Sequence, residues 1–169
     1  MQRIGILVAR TATTAWAGAA VMFVLTSIRE VTSPDLDSLV KSQLALLRFP
    51  IYYQVAAVCL LAGIAGGGLA LMADRMHRRR LALFLGLAAA AAIMMIVDWL
   101  YIYGPLQQMT SMVSAARPAD FHRFHQWSLG INAVDVGLCW IAAAVINCPF
   151  PSMPRNSADT GDAAGAGIS

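Results

Sequence analysis

Residues 81–103 read LALFLGLAAAAAIMMIVDWLYIY, a run whose one charged residue is Asp98. A helix rises 1.5 Å per residue and the hydrocarbon core of a bilayer is about 30 Å thick, so about 20 apolar residues cross it. This run is long enough, and three others flank it: about Thr11 to Ile28, Ile51 to Met72, and about Gln126 to Asn147. The expected fold is therefore all-α, a four-helix transmembrane bundle formed by residues 1–148 as one domain. The remaining stretch, 149–169, is rich in Pro, Ser, Gly, Ala and Asp, cannot bury a core, and is expected to be a disordered cytoplasmic tail.

Composition agrees with lipid as the solvent. The 169 residues are 59% hydrophobic and 12% charged, with a mean hydropathy of +0.64. Soluble domains carry about 25% charged residues, roughly twice as many. The net charge of +3 comes largely from one cluster, Arg75, Arg78, Arg79 and Arg80, between the second and third runs. A basic excess so local marks a membrane-flanking loop and argues against a nucleic-acid surface. By the positive-inside rule this loop is cytoplasmic, as then are both termini, in a plasma (inner) membrane. Arg29, Lys41, Arg48, Arg117 and Arg123 lie in or beside the outer loops and reduce the bias.

The first run has a rival reading as a signal peptide, because Ala15-Trp16-Ala17 looks like a cleavage site. The apolar stretch before it, Ile4 to Ala9, is cut short by Arg10, whereas a signal core needs about 7–15 residues. The run is read as an uncleaved span. Cys59, Cys139 and Cys148 match no zinc or disulfide spacing and read as small core residues. Tyr52, Tyr53, Trp99, Tyr101, Tyr103 and Trp127 fall near the outer interface, as an aromatic belt would.

The first outer loop carries its own pattern. Ser33-Pro34-Asp35 reads as a helix start, and Leu36, Leu39, Val40, Leu44 and Leu47 recur at helical spacing. A short interfacial amphipathic helix, ended near Pro50, is expected there. A weaker version follows the third span, with Leu106, Met109 and Met112 or Val113. In the second span Gly63 and Gly67 stand in GxxxG spacing beside Gly66 and Gly68, a face suited to packing on another helix, within the chain or in a homo-oligomer.

Three stretches resemble the four-span membrane family of unknown function typified by transmembrane protein 205. They are Ala15-Trp16-Ala17-Gly18, then Lys41-Ser42-Gln43-Leu44 with Phe49-Pro50-Ile51-Tyr52-Tyr53, and Phe121 to Asn132. The last carries Phe121, Arg123, Phe124, His125, Ser128 and Asn132 in the pattern F-x-R-[FY]-H-x-x-S-x-x-x-N, which looks like the signature at the entry to the family's last helix. Asp98 departs from the family pattern, which tends to have an uncharged polar residue nearby. The resemblance implies a four-helix membrane fold and no particular reaction.

One polar seam lies inside the membrane. At about 100° per residue His125, Ser128, Asn132, Asp135 and Cys139 share an arc of roughly 80° on the fourth span. Asp135 falls about 13 Å from the outer end, near the midplane, and Asp98 about 7–8 Å below Tyr103. A charged carboxylate at that depth costs on the order of 3 kcal/mol, so Asp135 is expected to be neutral or paired and to face the bundle interior with His125 and Asn132.

Three readings of the seam remain open. It can be a structural network that fixes helix register, with Arg29 or Arg48 as counter-charge. It can be an outward-facing path that binds or moves a small polar solute or ion, built from His125, Ser128, Asn132, Asp135 and Asp98. The third reading is a metal or haem site using His122 and His125, with Met109 and Met112 as soft ligands. An axial histidine on another span is lacking, so no cofactor is expected. There is no HExxH, G-x-S-x-G or phosphate loop, and His125 with Ser128 is only an i,i+3 pair. The chain reads as non-enzymatic, with the lipid bilayer and other membrane proteins as its partners.

Overall fold

The structure is a computed structural model that describes residues 1–73, 77–111 and 120–149. Arg75, Met112, Val113, Arg117 and the tail from position 150 lie outside the described residues.

Helix α1 spans Gln2–Thr32, α2 Ser38–Ala73, α3 Arg78–Val97, α4 Gly104–Ser111 and α5 Phe121–Asn147. Between α3 and α4 lies a six-residue π-helical turn, Asp98–Tyr103. Four helical stretches are long and apolar enough to cross a membrane: α1, α2, α5 and the continuous run Arg78–Thr110. They close a ring in which α1 packs on α2, α2 on α3, α3 on α5 and α5 back on α1.

Each inner face is a seam at helical spacing. In α1 it runs Gly5, Ala9, Thr13, Trp16/Ala17, Ala20; in α3 it runs Leu81, Phe84, Ala88, Ala91. The seam of α2 is Tyr53, Ala56, Leu60, Gly63, Gly66/Gly67, Ala70. Small residues dominate because helices in lipid gain nothing from hiding apolar surface and must instead gain close contact. At Gly66 that contact is with α1, whereas Gly67 sits under the Phe84 ring of α3. The GxxxG face is thus used within the chain. The perimeter is apolar: Leu7, Leu25, Val58, Leu61, Ile93, Leu100, Val134 and Ile141 are all exposed, as lipid contact requires.

Four expectations need correction. The first helix begins at Gln2 rather than near Thr11, because Arg10 does not interrupt it: its Nε donates to the Ile146 carbonyl at 2.9 Å. The first outer segment is helical, but it forms the opening turns of α2 and not a separate interfacial helix. Pro50 lies inside α2 without ending it. Proline lacks an N–H and crowds the preceding turn, yet in a bundle neighbouring groups can take up such a defect. The helix start is also displaced. Ser33 closes α1, and Asp37 supplies the side-chain cap, its Oδ1 accepting from the Val40 N–H at 2.8 Å.

The aromatic belt divides. Trp99, Tyr101 and Trp127 are exposed, but Tyr52, Tyr53 and Tyr103 are buried with Trp16, Leu60 and Cys139. Their rings form a chain of contacts, with centroids 4.9 Å apart for Trp16–Tyr52, 5.6 Å for Tyr52–Tyr53 and 5.1 Å for Tyr53–Tyr103. Offset and edge contacts of this kind add to burial. Tyr52, Tyr53 and Tyr103 are core, not interface.

One end of the bundle is closed by arginines. Arg80 donates from Nε to the Val145 carbonyl at 2.6 Å, from Nη1 to Pro149 at 3.2 Å and from Nη2 to Cys148. With Arg10 on Ile146, two guanidinium groups serve the last carbonyls of α5, where the helix carries its negative end.

Candidate functional site

The buried polar residues gather where α2, the π turn and α5 meet. Asp98, the first residue of the π turn, is 1% exposed. Its Oδ2 accepts from the Tyr53 hydroxyl of α2 and, at 2.9 Å, from the Asn132 amide of α5. Asn132 also donates to the Ser128 carbonyl at 2.9 Å and reaches the Ser128 hydroxyl at 3.2 Å. Three elements are therefore tied through one carboxyl group.

The π turn helps place these groups. In an α-helix residues five apart diverge by about 140° at 100° per residue, but a π turn has i→i+5 hydrogen bonds and brings them to nearly one face. Asp98, Ile102 and Tyr103 are accordingly all buried. Tyr103 stacks on Trp99 with centroids 4.9 Å apart.

Asp135 lies one turn further along α5 from Asn132, on the same face, and is 3% exposed. Its Oδ1 has no hydrogen-bond partner, and the same holds for Asp98 Oδ1 and the Tyr103 hydroxyl. Neither acid has an ion-pair partner among the described residues. Arg48, a candidate counter-charge, is committed elsewhere: it pairs with Glu30, donates to Ser27 Oγ at 3.0 Å and lies over the Phe23 ring. Arg29 is exposed. The structural reading of the seam thus loses the counter-ions expected for it.

The seam is only partly inward. Ser128, Asp135 and Cys139 are buried and Asn132 is half-buried on Asp98, but His125 is exposed and stacks on Phe121 at 6.0 Å. Its position at the helix entry turns it past the bundle, contrary to the expected inward face. Ser128 and His125 consequently lie in different environments. Of the remaining motif residues, Arg123 lies over the Trp127 ring at 4.9 Å and Phe124 packs edge-on to it. His122 is exposed and hydrogen-bonds Gln126 at 2.9 Å. Among the described residues no three His, Cys, Asp or Glu side chains are placed to hold a metal ion.

Sequence reasoning missed Tyr53 and Tyr103 as members of this site. A signal for Tyr53 existed: it falls in register with Ala56, Leu60, Gly63 and Gly67, which share the inner face of α2.

The fold is that of a multi-pass membrane helix bundle with a carboxyl-centred polar network in its interior. No family model, curated protein or solved structure matches the chain.

Proposed function

We propose that this is a non-enzymatic membrane protein that binds and moves a small polar solute or ion through the interior of its bundle, at Asp98 and Asp135. The carrying observation is Asp135: a carboxyl group 3% exposed, with one oxygen unpartnered and no basic residue bonded to it. A structural glue residue is expected to be satisfied, because an unsatisfied buried polar group costs stability. Ionisable groups retained at depth without such compensation mark pathways and relays.

The orientation that goes with this reading puts the arginine end in the cytoplasm of a cell with the chain in its plasma (inner) membrane. Support comes from charge. The described part of that end carries Arg3, Arg10, Arg78, Arg79 and Arg80 and no acid, whereas at the other end Arg29, Lys41, Arg48 and Arg123 stand among Glu30, Asp35, Asp37 and Asp120.

Purified protein in liposomes containing a pH-sensitive dye tests the function. Wild-type vesicles are expected to pass protons or a supplied monovalent cation faster than empty ones, and Asp135→Asn vesicles are expected to behave as empty. Equal rates for wild type and Asp135→Asn, with both proteins helical and monodisperse, would leave a purely structural network as the correct account.

A further inference from the structure

We infer that the species exchanged at this site is a proton carried by Asp135, with Asp98 as its fixed anionic neighbour. The inference rests on the reading of Asp98 and Asp135 as an exchange site and names what occupies it.

The two acids differ in their donors. Asp98 Oδ2 receives both the Tyr53 hydroxyl and the Asn132 amide, and hydrogen bonds from donors favour the ionised carboxylate. Asp135 Oδ1 receives none. Asn132, the donor on Asp98, stands three residues before Asp135 on one helix face, so the two acids are neighbours along one polar seam. Two negative charges this near, in an interior of low dielectric, are costly together. One proton relieves the repulsion, and it belongs on the acid without donors.

Among the described residues the surroundings offer no competing counter-charge. From α2 the site faces Tyr52 and Tyr53, from the π turn Tyr103, from α5 Asn132 and Cys139, and from α1 Trp16. None of these is basic.

Among the described residues, the supply of oxygen ligands argues against a metal cation. A hard cation takes about six oxygen ligands in a cavity of its own size. Here the buried oxygens without hydrogen-bond partners are Asp98 Oδ1, Asp135 Oδ1 and the Tyr103 hydroxyl. A proton needs no cavity.

Infrared spectra of the full-length protein in lipid vesicles read the proton directly, through the carbonyl stretch of an undissociated carboxyl group. At neutral pH the wild type is expected to show one such buried band, absent from Asp135→Asn and retained in Tyr53→Phe, which leaves Asp98 its Asn132 donor. Absence of the band from the wild type overturns the inference. So does its survival in Asp135→Asn, which would put the proton on another carboxyl group. Loss of the band on adding sodium or potassium chloride at constant pH would give the site to an alkali cation instead. A protonated Asp135 in a protein that passes no ions keeps the proton on Asp135 but removes the transport function and, with it, the exchange. Flux that depends on Asp135, with no protonated band, does the reverse.

Discussion

Gly5 and Gly66 hold α1 and α2 in backbone contact: a Cβ on Gly5 would stand 2.6 Å from the Gly66 carbonyl oxygen, and one on Gly66 2.7 Å from that of Gly5. The obstructing atoms are backbone, so no side chain can swing aside. Gly66→Ala is therefore expected to push the helices apart and to cost about 1–3 kcal/mol, the range for overpacking. Gly68, with open space where its Cβ would be, is the control. Unfolding midpoints in bicelles should fall for Gly66→Ala and hold for Gly68→Ala. Equal midpoints would mean that the helices do not meet at Gly66.

Tyr53 and Asn132 reach the same carboxyl oxygen of Asp98 from different helices. Hydrogen bonds within bilayers average about 0.6 kcal/mol and reach about 1.7. Tyr53→Phe is expected to destabilise the bundle by about 1 kcal/mol. Asp98→Ala should cost more than either donor's removal, because it leaves both donors buried without an acceptor. Steric-trap or denaturant unfolding of Tyr53→Phe, Asn132→Ala and Asp98→Ala gives the order, and a milder effect for Asp98→Ala would contradict the shared-acceptor geometry.

Arg80 serves three carbonyls, of Val145, Cys148 and Pro149, with three different nitrogens. Arg80→Ala is expected to fray the end of α5, read as faster hydrogen exchange at the amides of residues 145–148. Arg80→Lys should not restore protection, since one ammonium cannot reproduce the guanidinium fork. Full rescue by lysine would reduce the role of Arg80 to its charge.

Pro50 interrupts the hydrogen bonding of α2 without interrupting the helix. Pro50→Ala adds an N–H in reach of the Leu46 carbonyl, four residues back, and is expected to stabilise, by at most the roughly 3 kcal/mol separating proline from alanine in a helix interior. Spin labels scanned over residues 38–60 should show one unbroken period near 3.6 residues. A change of phase at Pro50 would mean that two helices meet there.

Arg75 falls between α2 and α3 in sequence and Arg78, Arg79 and Arg80 open α3, and the arginine end is expected to face the cytoplasm. Reporter fusions in that link and after Ser169 should both report a cytoplasmic position. An external carboxyl terminus with a cytoplasmic link would contradict four crossings.

The four spans were legible in the sequence because hydropathy and length report directly on the solvent a helix needs. Every run long enough to cross a bilayer became a helix that can, and Ser128, Asn132 and Asp135 came to share one face because helical spacing alone puts them there. The inward direction of a face was less legible. In lipid the perimeter is as apolar as the core, so the burial of Tyr52, Tyr53 and Tyr103 and the exposure of His125 depended on how each helix is rotated. That rotation is set by contacts between residues far apart in the chain, such as Gly5 with Gly66 and Arg80 with Val145. The continuity of α2 through Pro50 and the π turn at Asp98 likewise override local preference, since a packed neighbour can stabilise a backbone that the isolated segment would not choose. Hydropathy and length dictate the helices and their membrane-spanning character, whereas the side chains that meet Asp98 follow from packing, because helix rotation belongs to the whole bundle and to no one segment.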